Sequence, residues 1–119
     1  MSVQSRRKGK TGELEMVHVL ESMGYTARRT AALQAGENIH GDPDVEVTEL
    51  PMVHIEVKRV ERLNLEKAMQ QAEQDAARRL ALPVVCHRQN QCEWMITLRL
   101  ENLHKLMEHI EDAKHNSLN

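Results

Sequence analysis

The chain has 119 residues, of which 40% are hydrophobic and 29% are charged, and its formal net charge is −2. This length predicts a single domain with one modest core over residues 1–119. The net charge excludes a uniformly basic nucleic-acid-binding protein, so a polyanionic partner would have to be bound by local basic clusters. Aromatic residues make up only 2% of the chain, which disfavours a protein that stacks unpaired bases on aromatic rings.

The cysteine content and the lack of long apolar stretches bear on the cellular compartment. Two cysteines, Cys86 and Cys92, are too few for a disulfide framework, and no apolar run is long enough for a signal peptide or a membrane span. We therefore expect a reduced, cytoplasmic protein. The chain also contains histidines that could bind zinc together with these cysteines. No paired ligand spacing repeats, however, so we expect core cysteines and not a structural zinc site. The histidines considered are His18, His40, His54 and His87.

The N-terminal part of the chain predicts a basic arm, a helix and a strand. Residues 1–10 form the arm, which is either flexible or bound to a nucleic-acid backbone. The helix covers residues 11–23 and ends at Gly24, because apolar residues recur at helical spacing. These residues are Leu14, Val17, Leu20 and Met23. A short strand over residues 25–30 and a polar loop over residues 34–41 follow.

A β-hairpin is predicted over residues 42–60, where two runs rich in Val and Ile flank Glu49-Leu50-Pro51. With Leu50 at the tip, paired residue numbers sum to 100, so Asp44 lies opposite Glu56, and Asp42 lies opposite Lys58. Side-chain alternation then separates an apolar face from a polar face. The apolar face carries Val45, Val47, Val53, Ile55 and Val57, and the polar face carries Asp44, Glu46, His54, Glu56 and Lys58.

The rest of the chain predicts a helix, two strands and a last helix. The helix after the hairpin carries the apolar stripe Leu65, Ala68, Met69, Ala72, Ala76 and Leu80, and it ends near Leu82-Pro83. Strands over residues 83–87 and 93–98 precede a helix over residues 101–114, and residues 115–119 form a polar tail. The element order is therefore αβββαβ followed by βα. A right-handed crossover between parallel strands implies an α/β fold with a mixed central sheet flanked by helices.

Two short motifs in the hairpin point to chemistry: Gly41-Asp42-Pro43-Asp44-Val45 and Ile55-Glu56-Val57-Lys58. Magnesium prefers carboxylate and carbonyl oxygens, so Asp44, Glu56 and the backbone carbonyl of Val57 could hold Mg²⁺ beside a phosphate. Bound metal would acidify a water molecule and neutralise developing charge. The Lys58 side chain projects from the same face as Glu56 and could stabilise the phosphate or orient the water. Asp42 is either a turn former or a second metal ligand.

This arrangement resembles the PD-(D/E)XK nuclease superfamily, on Pro43-Asp44 and on Glu56-Val57-Lys58 in the order αβββαβ. Lys8-Gly9 followed by Glu13 at the first helix resembles the opening of archaeal-type Holliday junction resolvases. The resemblance covers residues 8–98. It implies a restriction-endonuclease-like fold with an extra strand and a C-terminal helix. It also implies an Mg²⁺- or Mn²⁺-dependent DNA endonuclease in which Glu13 completes the acidic site.

The chain also departs from those resolvases, which are typically more basic and have a shorter loop before the aspartate. His40 and Asp42 lie in that loop as accessory candidates, and the resemblance adds glutamines of the second helix. These are Gln70, Gln71 and Gln74. A phage or bacterial relative in DNA recombination or repair would fit. The alternatives are a flap, restriction-type or exonuclease activity, or a DNA-binding module of the same fold that does not cleave.

Two further surfaces are candidates for partners. Basic residues form clusters that could bind branched or duplex DNA. They are Arg6, Arg7, Lys8, Lys10, Arg28, Arg29, Arg59 and Arg62. The last helix carries an apolar stripe that either forms a homodimer interface or covers the sheet. That stripe is Leu103, Leu106, Met107 and Ile110.

Overall fold

A computed structural model describes residues 3–30 and 41–117, with side chains described from residue 9 to residue 116 within those ranges. Helices and strands follow in the order α1, β1, β2, β3, α2, β4, β5, α3. Their bounds are α1 (Val3–Ser22), β1 (Ala27–Arg29), β2 (Val45–Val47), β3 (Val53–Arg59), α2 (Leu65–Ala77), β4 (Leu82–Arg88), β5 (Met95–Thr97) and α3 (Leu103–Ser117). A 3₁₀ turn at Leu100–Asn102 precedes α3.

The sheet has five strands in the spatial order β1-β2-β3-β4-β5. The β3 and β4 strands pair in parallel through the α2 crossover, whereas every other neighbouring pair is antiparallel. Side chains of α1 and α3 pack against one face of the sheet, and α2 packs against the other. This architecture confirms the predicted α/β fold, with a mixed sheet between helices and an extra strand and helix after the αβββαβ core.

The hairpin has the predicted register. Val45 pairs with Ile55, and the Asp44 backbone N–H donates to the Ile55 carbonyl at 2.9 Å. All five residues of the predicted apolar face are buried in the core between the sheet and α1. Opposite them, α2 covers the polar face, so His54 and Glu56 are buried as well. Because both faces of β3 are covered, its polar side chains must find partners inside the protein.

The first helix is longer than predicted. It begins at Val3, so residues 3–10 of the predicted basic arm are helical backbone, because this run has no proline and consists largely of helix-compatible residues. Met16, Val17 and Leu20 contact the core, whereas Leu14 and Met23, which the periodicity placed on the same stripe, are exposed. The predicted stop at Gly24 is confirmed, since Gly24 adopts φ of +97° after the last turn.

The second helix begins where its N-cap is formed. The Asn64 side chain accepts a hydrogen bond from the Lys67 backbone N–H at 3.0 Å. After Ala77 the chain turns through Leu80, which has φ of +54° and is 88% exposed. The prediction that Leu80 belongs to the buried stripe is therefore wrong, because the helix ends before the stripe reaches it.

The C-terminal part of the structure differs from the sequence predictions at Leu103, Met107 and Cys92. Leu106 and Ile110 pack against the core, but Leu103 and Met107 are exposed, because only one side of α3 faces the sheet. Cys86 is a core residue, whereas Cys92 is exposed, so the core prediction is wrong for Cys92. Within the parts of the chain that the structure describes, every helix is too short or too polar to cross a bilayer.

Candidate functional site

Asp44 is held at the entrance of β2 by bonds to the facing strand. Its backbone N–H donates to Ile55, and its side-chain Oδ2 accepts a hydrogen bond from the Val57 backbone N–H at 2.9 Å. The buried Pro43 precedes it and fixes the backbone angle there. The hairpin itself therefore aims this carboxylate across β3 towards Glu56.

The two carboxylates affect each other strongly. Burial and the negative charge of Glu56 raise the pKa of Asp44 from 3.8 to about 8, against the opposing effect of the Val57 N–H, and Glu13 raises it further. Glu56 is itself only 7% exposed. An environment that disfavours negative charge on clustered carboxylates is one that a bound cation relieves. The donor set of carboxylate and carbonyl oxygens fits a hard divalent cation such as Mg²⁺ or Mn²⁺.

Glu13 reaches this cluster from α1. Burial raises the pKa of its carboxyl, while a hydrogen bond from Arg29 lowers it; Arg29 Nε donates to Glu13 Oε1 at 3.0 Å. The charges of Glu56 and Lys58 also act on that pKa, in opposite directions. The charges of Glu13, Glu56 and Lys58 therefore act on one another.

The close approach of α1 depends on Gly12. A Cβ atom at this position would lie 3.0 Å from Arg59 Cβ and 3.8 Å from Val57 Cγ1. Glycine thus lets the helix backbone lie directly on β3, one residue before Glu13. The sequence signal for this contact is a glycine inside a helical pattern, which is unfavourable unless the packing requires it.

The accessory candidates lie in different places. Asp42 forms an ion pair with Arg79 at the end of α2, and His40 lies outside the described residues. Gln70 donates to Glu66 at 3.4 Å, away from the carboxylates, and Gln74 is exposed. The third glutamine, Gln71, donates to both carboxylate oxygens of Asp75, at 3.1 and 3.2 Å.

His54 and Asp75 are site neighbours whose importance sequence reasoning missed. His54 Nε2 and Glu56 Oε1 are 2.8 Å apart, and His54 is 2% exposed. His54, Glu56 and Asp75 each offer a ligand atom within 4.8 Å of the other two. The signals were present: His54 shares the face of Glu56, and Asp75 falls on the buried stripe of α2 beside Ala72 and Ala76.

The basic residues divide into partly buried ion pairs and more exposed charges. Arg29 is bound to Glu13, and Arg59 Nε lies 2.6 Å from Glu15 Oε2, with Arg88 on the same carboxylate. Arg28 is more exposed and lies 3.5 Å from Glu46. Lys10 and Arg62 are exposed, and the side chains of residues 6–8 lie outside the described set. Arg29 and Arg59 are thus engaged within the protein, contrary to the expectation of freely available basic clusters.

Comparisons with known proteins bear on the family and the fold of the chain. A family model described as "Phage putative PDDEXK endonuclease" matches residues 4–118. Among solved structures, the chain is similar to Hjc, a Holliday junction resolvase from the archaeal hyperthermophile Archaeoglobus fulgidus. The TM-score is 0.57 at 22% identity, over 76% of this chain and 72% of that chain, which shows a shared fold. None of the curated proteins matches the chain.

Proposed function

The chain belongs to this family of phage PDDEXK endonucleases, and from that premise we propose that it hydrolyses DNA phosphodiester bonds with Mg²⁺ or Mn²⁺. Glu13, Asp44, Glu56 and the Val57 carbonyl are the proposed ligands. The observation that carries the proposal is the closeness of the partly buried Asp44 to the buried Glu56, where desolvation and the charge of Glu56 together raise the pKa of Asp44 to about 8. Such a pair is costly to bury unless a cation compensates its charge.

Each residue of the site has a proposed role. The cation, when bound, lowers the pKa of its water and neutralises charge that develops on the phosphate. The Lys58 ammonium, on the edge of the same cluster, binds the scissile phosphate or orients the attacking water. Arg29 holds Glu13 through the 3.0 Å bond, and the Val57 N–H holds Asp44. Fixed ligands of this kind lose little conformational entropy when the cation and substrate bind.

We propose branched DNA, in first place a four-way junction, as the substrate. Support comes from the fold shared with a Holliday junction resolvase. The exposed Lys10, Arg28 and Arg62, together with Arg6, Arg7 and Lys8 at the start of α1, would bind the DNA backbone. This charge is local on a chain with a net charge of −2, so binding should weaken steeply with salt. The work of such an enzyme would be in phage recombination or repair in the cytoplasm.

A homodimer would suit paired cuts in a symmetric junction, and large exposed apolar side chains near the last helix are candidates for the interface. They lie on β5, in the 3₁₀ turn and on α3, and they are Met95, Ile96, Leu100, Leu103 and Met107. Sedimentation equilibrium of the wild type and Leu100→Lys tests this: a dimer that the substitution dissociates supports the homodimer, and a monomeric wild type contradicts it.

The deciding experiment is cleavage of labelled four-way junction, flap and linear duplex DNA with Mg²⁺ or Mn²⁺. The variants are Glu56→Gln and Lys58→Ala, and Glu46→Gln is the matched control because it lies on the same strand face but pairs with Arg28. We expect paired cutting of the junction, lost in both variants and kept in the control. Cutting of flap or linear DNA alone would replace the resolvase assignment by another nuclease. Binding without cleavage under either cation would favour a non-cleaving DNA-binding module.

A further inference from the structure

A buried polar cluster lies behind Glu56, on the side covered by α2. His54 is 2%, Glu56 7% and Asp75 9% exposed, and their potential ligand atoms lie within 4.8 Å of one another. His54 and Glu56 come from β3, whereas Asp75 comes from α2. Three ionisable side chains withdrawn from water require mutual hydrogen bonds to offset their desolvation.

His54 Nε2 and Glu56 Oε1 are hydrogen-bonded at 2.8 Å. With a cation bound, the Glu56 carboxylate would be ionised and could only accept hydrogen bonds, so His54 Nε2 would be the donor. Among the described residues, His54 Nδ1 has no hydrogen-bond partner. The polar contact of the ring is thus directed at Glu56.

Asp75 is fixed from its own helix. Gln71, one turn earlier on α2, donates to both oxygens of Asp75. The neighbouring inward positions on α2 are the small apolar residues Ala72 and Ala76, which need no polar partner. The Asp75 carboxylate nevertheless lies within 4.8 Å of ligand atoms of His54 and Glu56. Two carboxylates this close disfavour each other's charge, which a bound cation relieves.

We propose that His54 and Asp75 are positioning residues for Glu56, and that they set the affinity of the site for its divalent cation. The inference rests on the proposed function. Glutamate has three side-chain torsions, and the imidazole bond restricts them before the cation binds. Outer partners that orient a ligating carboxylate in this way typically change metal affinity by about 10–100-fold when they are removed.

The test compares three variants with a matched control. His54→Leu removes the donor and replaces the imidazole with an apolar side chain of similar size. His54→Gln instead offers a donor near the position of Nε2. Asp75→Asn removes the charge of the second carboxylate. His87→Leu is the control, because His87 is also buried but bonds Thr97 at 2.8 Å and lies on β4. Circular dichroism melts verify that each variant is folded.

Mn²⁺ binding is measured directly by titration calorimetry, and the Mg²⁺ concentration for half-maximal cleavage is measured beside it. We expect His54→Leu to weaken Mn²⁺ binding by about 10–100-fold and to raise the half-maximal Mg²⁺ concentration similarly. His54→Gln should recover most of that loss, Asp75→Asn should weaken binding several-fold, and His87→Leu should bind Mn²⁺ like the wild type.

Equal Mn²⁺ affinities in the wild type, His54→Leu and Asp75→Asn would overturn the inference, even if both variants melt at lower temperature. If His54→Leu does not fold, Mn²⁺ binding by Asp75→Asn that is unchanged, or weakened no more than that of His87→Leu, would overturn the inference equally. A wild type that binds no Mn²⁺ and cleaves no DNA would instead contradict the proposed function, so the two failures are distinguishable.

Discussion

The two faces of β3 have opposite roles in the molecule. Towards α1, the strand presents Val53, Ile55 and Val57 to an aliphatic core; towards α2, it presents His54 and Glu56. Both sets are buried, but one buries hydrocarbon, which stabilises the fold, and the other buries ionisable groups, which costs stability unless they are paired. Alternation along one strand therefore places the structural support and the reactive groups within one residue of each other.

The largest expected effect on stability is at the apolar face. Ile55 is 3% exposed, and Ile55→Ala should cost about 2–5 kcal/mol of unfolding free energy, because it removes buried methyl groups and leaves a cavity. Urea denaturation measures the loss. Met52→Ala is the control, since Met52 lies exposed at the hairpin turn and should change stability by less than about 0.5 kcal/mol. Equal losses for both would contradict the contrast between core and turn.

At the polar face, replacing the Asp44 carboxyl should raise the free energy of unfolding, whereas Ile55→Ala at the apolar face lowers it. The folded pKa of Asp44, about 8, lies above its usual 3.8, so between these values the native state holds a proton that the unfolded chain has released. The stability of the metal-free protein should therefore fall as the pH rises from about 4 to about 8. Asp44→Asn should remove this contribution, raise stability at pH 8 by roughly 1–3 kcal/mol, and abolish cleavage.

Urea denaturation in EDTA at pH 5 and pH 8 tests the sign, with Glu46→Gln as the control that keeps the wild-type pH dependence. A wild type that gains stability between those values, while Asp44→Asn does not, would show that burial does not dominate at Asp44. The effect of Asp44→Asn on stability is measured without DNA or metal, whereas its effect on catalysis is measured by cleavage of DNA. The two effects are therefore separated by the two assays.

A smaller change in stability is expected at the contact between α1 and β3. Gly12→Ala would place a Cβ atom 3.0 Å from Arg59 Cβ, which has to be relieved by moving the helix that carries Glu13. We expect a loss of about 1–2 kcal/mol from overpacking. Gly9→Ala, on the same helix with open space around it, should gain about 0.5–1 kcal/mol from helix propensity. Thermal melts of the two variants should therefore shift in opposite directions.

An effect of similar size to that of Gly9→Ala is expected at the ends of α1 and α2. Both α1 and α2 are followed by a residue of positive φ, but α1 uses Gly24 at +97° and α2 uses Leu80 at +54°. Leu80→Gly should raise stability by about 1 kcal/mol, because it relieves backbone strain at an exposed position. Gly24→Ala should lower stability by a similar amount. A destabilised Leu80→Gly variant in thermal melts would show that strain at this turn is negligible.

The hairpin could be predicted from the sequence because its information is local. Alternating Val and acidic residues around Leu50 fit one register, and the pairing of Val45 with Ile55 confirms it. The positions of Asp44 and Glu56 follow directly from that register. Glu13, by contrast, entered only through resemblance, since no local pattern says which strand a helix residue will face.

What could not be predicted depends on packing between distant elements. Periodicity grouped Leu103 and Met107 with Leu106, but the sheet covers only one side of α3, and both lie exposed. Arg29 and Arg59 read as DNA-binding charges, yet Glu13 and Glu15 of α1 neutralise them. The closeness of Asp75 to His54 likewise arises only once α2 packs on the sheet.

The two cysteines allow the opening of the central sheet to be followed chemically in the wild-type protein. Cys92 is exposed, whereas Cys86 is buried in β4, where desolvation raises the pKa of its thiol to about 12. The thiolate attacks alkylating reagents, so the exposed Cys92 reacts first and serves as an internal standard. Cys86 reacts only in molecules whose sheet has opened, so the delay between the two modifications reports how often β4 separates from its neighbours.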